Sequence, residues 1–289
     1  MTGPQPRQRW ARGSNQYVKG AGTSGQPAAG TAVDLTPPDD AVDSGRLEDF
    51  GVTWRPFGVE LVHPSGIDRA RHRFRAHLPE LIWNTAALEG NNFTLPEVRT
   101  LLEGVTVGGR RLADEQQIIA LSEAYRRLDE IVGSGSFSLD KSVADEFHSL
   151  VARHEAIESG HFRGEGQVTG GGSVRLSSGG VVPGIDHGEG GDALRRHYTS
   201  MLDGLSEIED ARTRALVYFA SAVRRQFYFD GNKRAARLMM SGELMSNGFD
   251  AVSVPYARQL EFNEALDEMF TTNDATPLLA FLGTCTIGN

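Results

Sequence analysis

Between Leu112 and Val132 the sequence reads LADEQQIIALSEAYRRLDEIV, and its apolar side chains at Ile118, Leu121, Tyr125, Leu128 and Val132 return every three or four residues. That period lines them up on one stripe of an α-helix, and so long a stripe must be covered by other elements. A similar pattern recurs over Ile67–Leu88, which Pro79 is expected to divide, and over Leu95–Leu102, where Pro96 suits a first helical position. It returns over 140–158, carried by Val143, Phe147, Leu150 and Val151, and then over 191–205, 210–226 and 233–247, the last stopped by Asn247-Gly248. Phe262–Phe270 and Pro277–Leu282 extend the helical reading to the C-terminus. Strand and helix do not alternate, which excludes a doubly wound sheet. The periodicity fails over HFRGEGQVTGGGSVRLSSGGVVPGIDHGEGG, which reads as a loop with at most a short hairpin around Val168 and Val174. The expected fold is a mainly α helical bundle with one small β excursion.

The chain's 289 residues, 39% of them hydrophobic, can support one large core or two small ones. Residues 1–45 are rich in Gly, Pro, Ser, Thr and Ala and cannot bury enough surface to offset chain entropy, so a disordered tail is expected there. Within it, Arg7, Arg9, Trp10 and Arg12 form either a short docking segment or a solvated patch. The division that follows is a tail over 1–45, an N-terminal helical region over 46–110 and a core over 111–289. A net charge of −9 argues against coating nucleic acid through a general basic field. The single cysteine, Cys285, excludes an intrachain disulfide framework and a multi-cysteine zinc site. No apolar run approaches the roughly 20 residues that span a bilayer, and the N-terminal stretch lacks the apolar segment of a secretory signal. A cytoplasmic protein without membrane contact is the expectation.

The chemistry concentrates in DGNKRAARLMMSGELM, Asp230 to Met245. Gly231 permits a turn in which successive backbone N–H groups converge, and the helix after it presents unpaired donors and a positive dipole end. Lys233, Arg234 and Arg237 add three cations, and the two arginines are spaced to share a helical face. Asp230 is a hard oxygen ligand suited to Mg²⁺ beside a phosphate. The same residues also read as an Asp-Gly-Asn turn capping an ordinary basic helix.

This stretch resembles the signature of the Fic (Fido) domain family, H-x-F-x-[D/E]-G-N-[G/K]-R-x-x-R. Asp230, Gly231, Asn232, Lys233, Arg234 and Arg237 match, Tyr228 takes the aromatic position, and Gln226 stands where the family has its histidine. SGHFRGEGQV (159–168) is similar to the family's G-x-F-R segment leading into a β-hairpin flap, and TAALEGN (Thr85–Asn91) resembles its inhibitory motif. The resemblance implies a Fic-type helical bundle over roughly 50–285 that binds a nucleotide, usually ATP, with Mg²⁺ on Asp230. It implies that Gly231, Asn232 and Lys233 form an anion hole, that Arg234 and Arg237 clamp the outer phosphates, and that Glu89 pairs with Arg237 to inhibit. A target protein would dock by strand addition on the flap, 163–176, whose glycine content makes it either a poor template or a simple flexible loop. Glycine capping of a helix end at Gly90 is the other reading of the TAALEGN stretch.

A family member with histidine at 226 would transfer AMP from ATP to a target hydroxyl, the imidazole taking the proton. Glutamine can orient a hydroxyl but not deprotonate it. Three readings therefore stay open: a transferase with low or displaced activity, a nucleotide-binding pseudoenzyme, and different chemistry on a phosphorylated ligand. For a displaced base, His161 beside the flap is the first candidate, with His187 and His197 behind it.

Overall fold

A computed structural model of the protein describes residues 44–59 and 64–287. The tail expected over 1–45 lies outside these residues up to position 43, including the Arg7, Arg9, Trp10 and Arg12 cluster. Ser44 and Gly45 already belong to the first helix, α1 (Ser44–Phe50). Its hold on the bundle explains the earlier start: the Arg225 side chain donates to the Leu47 and Glu48 carbonyls, and Ser200 donates to Asp49.

Among the described residues the regular structure is helical apart from one two-stranded ribbon and three isolated bridges. The expected division at Pro79 separates α2 (Ile67–Ala76) from α3 (Leu78–Leu88), with the proline in the first turn of α3, where its missing N–H leaves nothing unpaired. α4 (Leu95–Leu102) opens with a capping box in which Glu97 accepts from the Thr94 amide at 2.7 Å. The amphipathic stretch forms α5 (Leu112–Gly133), with Ile118, Leu121, Leu128 and Val132 buried.

The helix expected over 140–158 stops sooner, as α6 (Lys141–Ala152). Asp140 caps its start by accepting from the Val143 amide at 2.9 Å. At its end the Ala152 carbonyl accepts from the amides of both Glu155 and Ala156, so the chain winds into a turn and leaves the helix axis. That turn places Glu155 against a neighbouring helix.

The hairpin is shifted from the expected place. Val174–Arg175 (β1) pairs antiparallel with Val181–Val182 (β2), and Val168 lies outside it, its amide bonded to Glu158. The turn chemistry decides the position: Leu176 and Gly180 close the loop at 2.8 Å, with Gly179 at φ 92°. Only β1 of the pair falls within 163–176.

α7 (Asp192–Ser206), α8 (Ala211–Arg225) and α9 (Asn232–Ser246) match the next three expected helices within a residue or two at each end. α10 (Gln259–Thr272) and α11 (Thr276–Gly283) complete the bundle. α8 and α9 form its centre: Val217, Phe219, Val223, Met239, Met240 and Leu244 have no exposed surface. α6 packs on α9 and α3 on α5, so the C-terminal end of α3 and the turn after α6 converge on the start of α9. Among the described residues no helix is long and apolar enough to cross a membrane.

Candidate functional site

Residues 226–231 link the antiparallel helices α8 and α9, and side chains from α6, from α9 and from the 159–168 segment hold this short connection. Gln226 ends α8 in the left-handed conformation, φ 50°, which few non-glycine residues adopt. Its amide is fixed at both ends: Nε2 donates to the Val223 carbonyl at 2.7 Å, and Oε1 accepts from Asn232 Nδ2 at 3.0 Å. Asn232 in turn accepts from the Tyr228 amide at 2.9 Å and donates to the Tyr228 carbonyl at 2.8 Å. The Asn232 side chain is therefore consumed in closing the loop. What α9 offers an anion is its uncapped N-terminus, where the first N–H groups of any helix lack partners.

Gly231 is required twice over. Its φ is 74°, and a Cβ there would lie 3.0 Å from Ala152 and 3.4 Å from the His148 ring. His148, fully buried on α6, accepts from the Gly160 amide through Nδ1 at 2.8 Å and donates through Nε2 to the Asp230 carbonyl at 2.7 Å. Its ring stacks on Tyr228 at 3.8 Å, and Tyr228 donates to Asp145 at 2.8 Å. Burial, with Arg234 nearby, pushes the imidazole down to about 4. His148 is thus a neutral peg under the loop.

Each of the three cations at the start of α9 already has a carboxylate neighbour. Glu89, at the end of α3, lies 3.3 Å from Lys233 Nζ and 3.5 Å from Arg237 Nη1. Burial raises the Glu89 carboxyl, but Lys233, Arg237 and Arg234 outweigh that and hold it at about 2. The Glu89–Arg237 pairing read from the sequence is present in the geometry, and Lys233 joins it. Gly90 follows in the left-handed region, φ 84°, and the Gly90 and Asn91 amides donate to the Ala87 and Ala86 carbonyls. Glycine capping and the ion pair coexist.

Arg234 does not share Arg237's surroundings. It turns to the α6 side, donating to the Val151 carbonyl at 3.0 Å and to Glu155 at 2.8 Å, with Asp230 at 3.8 Å. Both guanidinium groups retain buried donors without a partner: Nε of Arg234, and Nε and Nη2 of Arg237. An unmade buried hydrogen bond typically costs about 1–3 kcal/mol, more beside a charge, and such groups call for a ligand or a water.

No family model matches the chain. It is 23% identical over 249 residues to the protein adenylyltransferase Fic of Drosophila ananassae, covering 85% of this chain and 47% of that protein. To the protein of the same name from Drosophila willistoni it is 27% identical over 232 residues, covering 79% and 44%. Among solved structures, a Fic domain containing signaling protein from Bacteroides thetaiotaomicron superposes with a TM-score of 0.61 at 18% identity, over 78% of this chain and 85% of that one. The chain is similar in sequence and in fold to Fic domain proteins. A Fic family protein from Desulfovibrio desulfuricans shares the fold at a TM-score of 0.58 and 19% identity, over 74% and 62% of the two chains. The chain spans about half the length of the curated relatives it matches.

Three contributors to the candidate site escaped the sequence reading. His148 and Glu155 lie on α6 and the turn after it, with no spacing pattern relative to 226–237. Arg163 lies in the recognised HFRG segment, yet its role is visible only in space. Wholly buried, it donates to the Gln226 carbonyl at 2.8 Å and to the carbonyls of Gly170, Gly171 and Ile185 at 3.0–3.1 Å. Burial pushes it down to about 10, with Asp186 opposing. It ties the ribbon's approach to the loop that carries Gln226. Two of the three histidines considered as displaced bases bond to nearby backbone: His161 donates to the Ser159 carbonyl at 3.1 Å, and His187 to the Gly188 carbonyl at 2.5 Å. His197 sits on α7, lowered by burial and by Arg225 and Arg196. The histidine that touches the loop is His148.

Asp230 fits a hard cation in part. One oxygen accepts from the Gly231 amide at 2.6 Å, and the half-exposed carboxyl is raised by burial and by Glu89 and Glu155, against Arg234 and the Gly231 bond. Among the described residues no cluster of three or more His, Cys, Asp or Glu side chains could hold a metal. One carboxylate with ligand phosphates is a donor set that suits Mg²⁺, which keeps several waters.

Proposed function

We propose that this chain is a nucleotide-binding Fic protein of the adenylyltransferase type, restrained both by Glu89 at the phosphate arginines and by Gln226 in the position of the base. The observation that carries the reading is Arg237, buried beside the uncapped start of α9 with two guanidinium nitrogens unpartnered. A terminal phosphate fits those donors, and the names of the Fic relatives supply the reaction type. In this reading ATP is the nucleotide. The helix start and Lys233 bind its phosphates, Arg237 and Arg234 hold the outer ones, and Asp230 would hold Mg²⁺, which neutralises phosphate charge when bound. A target segment would lie along the ribbon that begins at β1, within 163–176, and contribute the hydroxyl.

Gln226 sets the limit on transfer. Its Oε1 accepts from Asn232 and its Nε2 donates to Val223, so the amide is oriented but cannot take a proton. The Val223 carbonyl that holds Nε2 offers an imidazole at 226 an acceptor for one ring N–H, leaving the other nitrogen free as a base. The test is incubation with labelled ATP and a lysate, using wild type, Glu89→Gly, Gln226→His and the double variant. The double variant is expected to label itself or a target, recovering up to the roughly 10²–10⁴ that a general base contributes, while wild type labels little. Wild-type transfer unchanged by Gln226→Ala would overturn the reading. A double variant that binds ATP yet transfers nothing would favour the pseudoenzyme reading, which the full engagement of the Gln226 amide also supports.

A further inference from the structure

The cations at the start of α9 lie deeper than the carboxylates beside them. The Arg234 and Arg237 side chains are 2% and 4% exposed, whereas Glu89 is 18% and Glu155 30%. The carboxylates therefore stand between the guanidinium groups and solvent. For Arg237 that cover is Glu89. For Arg234 it is Glu155, whose Oε2 accepts from Nη2 at 2.8 Å.

Glu155 is not a loosely placed surface acid. Its other oxygen accepts from Gln117 Nε2 of α5 at 2.8 Å, and Gln117 Oε1 accepts from Asn91 Nδ2 at 2.8 Å. Asn91 is buried, donates also to the Asp114 carbonyl at 2.9 Å and accepts from the Phe93 amide at 3.0 Å. It sits two residues after Glu89, on the turn that ends α3. A chain of side-chain hydrogen bonds thus runs from the end of α3 through α5 to Arg234, while Glu89 runs directly from the same turn to Arg237.

From this arrangement we infer that Glu155 is a second internal counter-anion of the phosphate site, covering Arg234 as Glu89 covers Arg237, and that a bound phosphate displaces it. This deepens the nucleotide-binding reading and rests on it. Glu155 accepts from, and is the nearest carboxylate to, a buried guanidinium whose other carboxylate neighbour, Asp230, lies at 3.8 Å. A phosphate oxygen can take over that hydrogen bond with more charge, and Glu155, on an exposed turn, can swing into water. Gln117 is the tether that opposes the swing. Because both covers are anchored at the end of α3, a ligand that opens one loosens the anchor of the other.

The inference is tested by calorimetric titration of Mg-ATP into wild type, Glu89→Gly, Glu155→Ala, Glu155→Gln and Gln117→Ala, each with its thermal midpoint measured without nucleotide. Glu155→Ala is expected to melt earlier without ligand yet bind ATP more tightly, by roughly threefold to tenfold for the loss of a partly exposed competing pair. Gln117→Ala, which removes the tether and no charge, is expected to move affinity the same way by a smaller factor. Should Glu155→Ala fail to fold, the near-isosteric Glu155→Gln decides, with tighter binding again expected. Folded Glu155 variants that bind ATP as wild type does, or more weakly, overturn the inference while Glu89→Gly still binds. If Glu89→Gly itself binds no nucleotide, the phosphate site fails and the inference falls with it.

Discussion

At the scale of single residues, His148 makes a claim that pH can test. Its pKa is held at about 4 when folded, against 6.5 for the free side chain. Between those values the unfolded chain binds a proton that the folded chain refuses, so stability falls as pH drops from about 6.5 towards 4. The full gap corresponds to about 3.5 kcal/mol at most, at about 1.4 kcal/mol per unit. We expect His148→Phe, which keeps a ring against Tyr228, to be less stable at pH 7 but to lose less stability over that window. Urea midpoints from pH 7 to 4 that fall equally in both proteins would dispose of the idea. Glu89 behaves similarly lower down: held at about 2, it contributes stability above the ordinary carboxylate range that is lost as pH falls towards 2. Which of these residues could be read in advance depended on distance along the chain. Gln226 stood out because its neighbours spell a recognisable string, and Glu89 because its motif precedes that string. His148 and Glu155 could not, since their partnership with the loop exists only once α6 has packed on α9.

At the scale of elements, the glycines of the ribbon's approach are a packing device. An added Cβ at Gly172 would lie 2.5 Å from the Arg163 guanidinium, one at Gly171 2.8 Å from Phe229, and one at Gly184 2.6 Å from the Gly172 backbone. The sequence reading took Gly171 and Gly172 for looseness, because composition reports a missing side chain without reporting what fills the space. Gly184 gives the cleanest test, since its backbone conformation suits any residue and only the contact forbids one. Gly184→Ala is expected to destabilise by about 2 kcal/mol, within the usual cost of overpacking. Gly108→Ala, which meets open space, should stay within about 0.5 kcal/mol of wild type. Equal midpoints in chemical denaturation would mean that the backbone at Gly172 yields freely. Helices were the legible elements, α5 above all, because burial imposes a period on sequence. The end of α6 and the register of the hairpin were not, because a bifurcated carbonyl and a tight turn decide them locally.

At the scale of the molecule, one apolar cluster runs from Phe50 through Leu81, Leu121, Phe219 and Met240 to Ile287. It takes residues from both sides of position 110, so the helices that carry Glu89 and the helices that carry the loop share a core. Fluorescence of Trp83, isolated by replacing Trp10 and Trp54 with phenylalanine, reports on the first and helical ellipticity on the whole. Both are expected to trace a single unfolding transition with one midpoint, and separated midpoints would show two units.

The pairing of Lys233, Arg234 and Arg237 with Glu89, Asp230 and Glu155 also bears on how fast a ligand arrives. A pocket whose charges cancel internally projects little field past a Debye length of about 8 Å in physiological salt. The chain around it carries a net charge of −9. On the nucleotide-binding reading proposed above, a triphosphate approaching from solution would be met by mild repulsion and would find its cations only on arrival. Added salt would ease the encounter, and the rate of capture would be set by how often the acidic covers stand aside.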